Sequence, residues 1–234
     1  NTTPFALDAD FAEAAIAKDP LGTSVFRFLE TVSGKRERPL CKGAEALAAI
    51  GAEAFRGDIE DLASLQRGAA QCDSVIHTAF DHDFAHFVEN CQKDRRAILA
   101  LGAALEGSDR PLLITSGTPI GSAGPGLVAT EDCFNPDHPN PRVASELAGA
   151  ELTQRGVNVS VMRLSQIHDT VKQGFVSYVI EVARRTGVSA YVDEGLNNWT
   201  AAHISDTARL FRLALEKNQP GARYHATAEE AIPF

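Results

Sequence analysis

The chain has 234 residues, 44% of them apolar and 23% charged, a composition that can bury a full core and argues against extensive disorder. A formal net charge of −9, with no local cluster of Lys and Arg, argues against a protein that works by neutralising nucleic-acid phosphates. No apolar run is long enough to span a bilayer, so neither nucleic acid nor membrane is expected as a partner.

No charged-then-apolar leader opens the sequence at Asn1. The four cysteines, Cys41, Cys72, Cys91 and Cys133, are scattered and contain no C-x-x-C pair, which fits small buried thiols in a reducing interior. A cytoplasmic location is therefore expected.

In chain order, the first segments read as helices over Phe11 to Ala17 and Val25 to Val32, joined through Asp19-Pro20-Leu21-Gly22 and followed by a polar loop from Ser33 to Pro39. Residues 8–32 are expected to be mainly helical. A helix tail over Ala44 to Ile50 precedes a strand over Ala54 to Asp58, and Ile59 to Gly68 reads as a helix. Ser74 to Ala79 is an apolar strand, and Phe84 to Leu105 has helical periodicity, with Phe84, Phe87, Val88, Cys91, Ile98, Leu101 and Leu105 on one side. Pro111 to Thr115 is the next strand. A Gly/Pro-rich loop from Pro119 to Pro141 leads to a helix over Arg142 to Gln154, ended by Gly156, and a strand over Val157 to Leu164. A helix over Val176 to Arg185, a short strand around Ala190-Tyr191-Val192 and a helix over Ser205 to Lys217 complete the pattern.

Strands alternating with helices, several of them apolar on both faces, imply an α/β fold with a doubly wound, Rossmann-like parallel sheet. Two regions are expected: an atypical, mainly helical segment over 1–42, and a Rossmann-like domain over 43–234 whose residues from about 165 on form a substrate lobe.

Several segments carry chemistry in a recognisable order. Gly57-Asp58-Ile59 is an acidic turn after a strand. Val75-Ile76-His77-Thr78-Ala79-Phe80 reads close to V-I-H-x-A-A. Thr115-Ser116-Gly117-Thr118 puts a serine at a strand end, and Met162-Arg163-Leu164-Ser165-Gln166-Ile167 fits R-x-x-x-[VI]. Asn198-Trp199 through Ala208 resembles N-x-W-x-x-x-H-V-x-D-x-A. From Gly43 to Phe234 the chain thereby resembles the extended or atypical branch of the short-chain dehydrogenase/reductase superfamily, the NAD-dependent epimerases and dehydratases. The resemblance implies NAD or NADP beside Asp58, Ile59, Thr78, Ala79, Phe80, Thr115, Leu164 and Ile167, a small organic substrate near Trp199 and His203, and Ser116 as the group that hydrogen-bonds the substrate oxygen. Physical sense agrees, because ligands of open α/β sheets sit outside the carboxyl ends of the strands. Asp58 reads equally well as an ordinary turn or N-cap residue.

Two departures stand out. The strand and G-x-x-G-x-x-G turn that let backbone approach a pyrophosphate are absent, and Gly22 and Gly34 are too far apart to substitute. The second departure is at Arg142-Val143-Ala144-Ser145-Glu146, which stands where the family carries Tyr-x-x-Ser-Lys, so Arg142 replaces the acid/base tyrosine and Glu146 its lysine. A guanidinium does not act as a general base, and a carboxylate raises rather than lowers the pKa of a neighbouring acid. None of Tyr178, Tyr191 and Tyr224 has a lysine four residues on. Arg142 would either orient an anionic substrate or, the favoured reading, pair with Glu146 one helical turn away.

Other constellations are poorer. His82 and His86 are spaced i and i+4, but Asp83 is shorter than the Glu of H-E-x-x-H and no third ligand follows, so a polar helix-start cluster is expected and no metal is assigned. Ser116 with His203 lacks the G-x-S-x-G elbow of a hydrolase. His77 reads as a satisfied core histidine, His203 as a pocket or helix-capping residue, and Trp199 as a stacking or packing residue.

The function expected is an NAD(P)-dependent oxidoreductase or epimerase of the atypical type, with Ser116 and Arg142 at the catalytic position. The alternative is a non-catalytic nucleotide- or partner-binding protein on the same scaffold, and a third is a rearranged chain that binds no dinucleotide. A strand near Phe5-Ala6-Leu7 or Val25-Phe26 completing the sheet favours binding; two helices packed elsewhere favour loss. An exposed sheet edge would encourage a homodimer.

Overall fold

The computed structural model describes residues 27–31, 52–171 and 173–233. Its centre is a four-stranded parallel sheet in the order β3-β4-β5-β8, with β3 at Val75–His77, β4 at Leu112–Gly117, β5 at Val159–Leu164 and β8 at Arg223–Ala226. Successive residues of a strand face opposite sides. Leu112 and Ile114 of β4, with Val159 and Val161 of β5, therefore pack against three helices: α1 (Leu62–Ala70), α2 (Phe87–Ala103) and α3 (Val143–Gln154). Leu113 and Met162 face the other way and pack with Ala208, Phe211 and Ala214 of α5 (Ile204–Lys217). Helices on both faces make the sheet doubly wound, as the apolar strands require.

Local chemistry places these helices. Asp61 caps α1 by accepting from the Ser64 amide at 3.2 Å. Helix α3 lies flush on the sheet because Gly149 faces β4, where a Cβ would stand 2.8 Å from Ile114 Cδ1. The strand over β4 extends two residues past the expected end, carrying Ser116 and Gly117 into register with Arg163 and Leu164.

A second, three-stranded sheet holds β6 (Gln166–His168) parallel to β7 (Asn198–His203), and β7 antiparallel to β9 (Glu229–Pro233). Between them runs α4 (Val176–Thr186). The strand expected around Tyr191 does not form. That stretch is irregular and exposed, without a partner strand to cover its apolar side chains, and the strand lies instead in the Asn198 to His203 motif.

The N-terminal region brings a larger correction. Arg27–Thr31 is a strand, β1, paired in parallel with β2 (Glu53–Gly57), where a helix over Val25 to Val32 was expected. Strand pairing, a non-local interaction, outweighs the helical spacing of so short a stretch. The helices expected over Phe11 to Ala17 and Ala44 to Ile50 lie outside the described residues.

Periodicity over Phe84 to Leu105 is right in its C-terminal part and wrong at its start. Cys91, Ile98, Leu101 and Leu105 are buried, but Phe84 to His86 forms a 3-10 turn, and Phe84 and Val88 are exposed. Leu152, fully buried between α2 and the sheet, tests this packing. Leu152→Ala is expected to lower unfolding free energy by about 2–5 kcal/mol in urea denaturation; a change within about 0.5 kcal/mol would show that α3 is not packed as described.

Candidate functional site

The carboxyl ends of β3, β4, β5 and β8 lie side by side, and two buried ionic networks sit beneath them. The first joins three elements. Asp94, on the buried face of α2, is completely inaccessible. Its Oδ1 accepts from His77 Nε2 at 2.7 Å, and its Oδ2 accepts from Ser145 Oγ at 2.5 Å and from Arg142 Nη1. Arg142 Nη1 also donates to Ser145 Oγ, and its Nη2 donates to the Thr115 carbonyl at 3.0 Å. The guanidinium covers the Phe80 ring, 4.1 Å from its centroid. Thr115 Oγ1 in turn donates to the His77 carbonyl at 2.7 Å, so the ends of β3 and β4 are tied to each other and to α3.

Burial alone would raise the pKa of Asp94. The Arg142 guanidinium, then His77 and the hydrogen bond from Ser145, hold it instead well below the usual carboxylate range. His82 nearby is pushed down from the ordinary histidine value by burial and then by the charge of Arg142.

The second network lies one helical turn along α3. Glu146 and Arg163 are both fully buried and pair through two parallel bonds of 2.8 Å, from Nε to Oε1 and from Nη2 to Oε2. Arg223 Nε adds a third bond to Oε2 at 3.2 Å. The remaining donors of Arg163 hold the loop after β4, reaching the carbonyls of Thr130 at 2.9 Å and Cys133 at 2.7 Å. His225 Nε2 stands 3.3 Å from Arg163 Nη1, and burial followed by that positive charge lowers the His225 pKa.

The expected pairing of Arg142 with Glu146 is therefore overturned. Residues 142 and 146 lie a turn apart on the sequence, but Arg142 sits at the N-terminal boundary of α3 and turns towards α2, while Glu146 faces β5. Each meets an oppositely charged partner that is itself buried, which outweighs an exposed i, i+4 contact.

Ser116 lies at the carboxyl end of β4, only 4% exposed, and its Oγ has no hydrogen-bond partner among the described residues. Gln166 Oε1 and Thr227 Oγ1, just past the ends of β5 and β8, are also buried and unpartnered there. Buried polar groups are normally satisfied, so three such atoms along one sheet edge fit a ligand that brings hydroxyl or carbonyl groups.

The remaining site residues are dispersed around that edge. Asp58 follows β2, where its Oδ1 accepts from the Glu60 amide at 2.9 Å, the turn role open to it from sequence. Ile59 is in the core with Leu65, and Ala79 packs partly against the same cluster. Thr78 follows β3, and Phe80 is buried with Cys91 and Ala144. Leu164 and Ile167 pack against the α5 side of the sheet. Trp199 is the second residue of β7, opposite Ile232 of β9. His203 caps α5, its Nδ1 accepting from the Ser205 amide at 3.2 Å. At the other histidine pair, Asp83 accepts from the Ala85 amide at 3.0 Å and pairs with His86 at 2.9 Å, a polar helix start.

Sequence reasoning missed Asp94, Ser145, Gln166 and Thr227. Asp94 carried a signal, since it falls three residues after Cys91 and four before Ile98 on the buried face of α2. Asp94→Asn is expected to cost about 3–5 kcal/mol in urea denaturation near neutral pH, because it leaves Arg142 without its counter-ion. Since the folded-state pKa is depressed, this contribution is fully present above the unfolded value of about 4 and is lost as pH falls below it. The difference between wild type and variant should therefore shrink in acid, and a difference independent of pH between 2 and 6, roughly the span of that titration, would contradict the assignment.

Comparison with known proteins places this geometry. No family model matches the chain. It is 45% identical over 194 residues to the uncharacterized protein C2A9.02 of Schizosaccharomyces pombe, covering 82% of this chain and 65% of that protein. It is 39% identical over 209 residues to the uncharacterized protein YLL056C of Saccharomyces cerevisiae, covering 86% of this chain and 70% of that one. The chain thus spans about two thirds of the length of these relatives. Among solved structures, dTDP-glucose 4,6-dehydratase from Streptomyces venezuelae with NAD bound superposes with a TM-score of 0.71 at 17% identity, over 93% of this chain and 71% of that one. A nucleoside-diphosphate-sugar epimerase from Pseudomonas aeruginosa gives 0.68 at 18% identity, over 94% and 68%. UDP-glucose 4-epimerase from Thermus thermophilus, in complex with NAD, gives 0.63 at 18% identity, over 92% and 74%. The protein belongs to the family of the yeast protein YLL056C, and its fold is that of the NAD-dependent epimerases and dehydratases.

Proposed function

We propose that the protein is an NAD(P)-dependent oxidoreductase-like protein acting on a small organic substrate, with the ligand site along the carboxyl edge of β3, β4 and β5. The observation that carries the reading is Ser116, whose buried Oγ at the end of β4 has no partner among the described residues. Similar structures hold a dinucleotide on this fold, which supports the reading. Strand β1 pairs with β2 in a two-stranded sheet of its own and, among the described residues, is not joined to β3, so it does not by itself decide between binding and its loss.

Asp58, Thr78, Ala79 and Phe80 would flank the adenosine side, and Thr115, Leu164 and Ile167 the nicotinamide side, with Ile59 supporting the turn from the core. When bound, the nicotinamide supplies hydride chemistry. Ser116 donates a hydrogen bond to the substrate oxygen, and Trp199 and His203 border the substrate. Arg142 acts as a positioning residue: by holding the Thr115 carbonyl it fixes the backbone that carries Ser116. A water or another side chain supplies the proton that tyrosine handles in the resembled family.

A second reading has its own support. Both positions of the Tyr-x-x-x-Lys pair are absorbed into buried ion pairs, which suits a non-catalytic nucleotide- or partner-binding protein on the same scaffold.

Calorimetric titration of the 234-residue chain with NADH and NADPH decides between binding and its loss. Saturable binding is expected, followed by turnover that falls at least about tenfold in Ser116→Ala. No saturation at millimolar cofactor would contradict the dinucleotide reading, and turnover unchanged in Ser116→Ala would remove Ser116 from it.

A further inference from the structure

Arg163 is fully buried, and each N–H of its guanidinium needs an acceptor. Nε and Nη2 donate to the two oxygens of Glu146, Nη2 donates again to the Cys133 carbonyl, and Nη1 donates to the Thr130 carbonyl. The second hydrogen of Nη1 has His225 Nε2 as its partner at 3.3 Å. An imidazole nitrogen accepts a hydrogen bond only when it carries no proton itself. The buried network is therefore complete only while His225 is neutral, with its proton on Nδ1.

The surroundings leave little room for adjustment when His225 gains a proton. Arg163 and His225 are register partners on adjacent strands, β5 and β8, so their side chains start from neighbouring points on one face. Glu146 holds the guanidinium through two bonds and keeps it from withdrawing. Gly121 closes another side, where even a Cβ would stand 3.0 Å from His225 Nε2. The part free to move is the loop after β4, whose residues Pro125 to Val128 and Thr130 to Asp132 are exposed. Its grip on the sheet comes from the two carbonyls held by Arg163, from Glu131, which accepts from the His225 amide at 2.7 Å, and from the Phe134 ring, 4.6 Å from the Arg223 guanidinium.

We propose that His225 is a proton-operated catch for the loop over residues 119–141: neutral, it completes the Arg163 network and the loop stays on the sheet edge; protonated, it sets two cations face to face and the loop lets go. The loop leaves β4 directly after Ser116 and Gly117, so its release uncovers the carboxyl edge. Charged groups around His225 act in both directions. Burial first, then Arg163 of β5, lower its pKa, while Glu131 of the loop and Glu146 of α3 raise it, and the net direction is down. Arg223, two residues earlier on the same strand, is itself paired with Glu146. Since the folded-state pKa lies below the unfolded value of about 6.5, the closed loop is fully favoured above that value and is lost as pH falls through the folded one. The proposal does not depend on which ligand the edge takes.

The test reads amide exchange and the His225 ring signals of the whole chain by NMR, from about pH 7.5 down to about 5, a span that brackets histidine titration. The Thr130 amide, which donates to the Gly121 carbonyl at 3.0 Å, reports on the loop, and the amides of β4 serve as the reference. Protection at Thr130 is expected to fall at least about tenfold on acidification, the scale of one hydrogen bond to a charged group, with the midpoint of the His225 titration. Protection in β4 should hold. His225→Gln keeps an uncharged acceptor and should keep the loop protected throughout. Glu131→Gln keeps an oxygen for the His225 amide but removes a negative charge, so it should move both midpoints together to lower pH. Unchanged protection in the wild type, a midpoint that does not match that of His225, or the same loss in His225→Gln would overturn the proposal. So would a His225 midpoint at or above about 6.5, or one that rises in Glu131→Gln. The wild-type midpoints and Glu131→Gln decide the matter even where His225→Gln does not fold.

Discussion

The pairing of Glu146 with Arg163 is the interaction on which the carboxyl edge of the central sheet depends. Two charges with no solvent access cost several kcal/mol each to bury, and only a bidentate bond with every remaining donor satisfied offsets that cost. Arg163 meets the requirement by reaching the carbonyls of Thr130 and Cys133, and Glu146 by accepting from Arg223 as well. One ion pair thereby fastens α3 to β5, β5 to β8, and the long loop after β4 to both. Gly121 belongs to the same constraint, since a Cβ there would stand 2.5 Å from Arg163 Nη1 and 2.7 Å from the Thr130 carbonyl.

Asp94 with Arg142 repeats the arrangement one turn earlier on α3 and secures the other half of the edge. On the reading proposed above, Arg142 and Glu146 stand where the resembled family carries its acid/base tyrosine and lysine. Both side chains are held against buried counter-ions, and Arg142 also holds the Thr115 carbonyl. Among the described residues, the buried polar atoms without a hydrogen-bond partner at the ends of these strands include the Ser116 hydroxyl, the Gln166 amide oxygen and the Thr227 hydroxyl.

Much of this was legible in the sequence, for reasons that differ residue by residue. Strand apolarity and helical spacing located β3 to β5, α3 and α5, because burial on two faces leaves a pattern that needs no knowledge of the partner. The strand at Arg27–Thr31 was not legible, since its pairing with Glu53–Gly57 is a contact between segments far apart in the chain. The exposed Phe84 and Val88 misled in the other direction, because their spacing fits the buried face of a helix that begins only at Phe87. The ion pairs were hidden for a similar reason: Arg142 and Glu146 look like each other's partners until Asp94 and Arg163 arrive from other elements.

A double-mutant cycle on Glu146→Gln and Arg163→Gln, read by urea denaturation, tests the central claim most directly. The account predicts strong non-additivity, a coupling of about 2 kcal/mol or more, because Glu146→Gln leaves Arg163 buried without its counter-ion and Arg163→Gln leaves Glu146 with only the more exposed Arg223, while the double change removes both buried charges. Additive effects, within about 0.5 kcal/mol, would mean that the pair does not fasten the edge and would contradict the account.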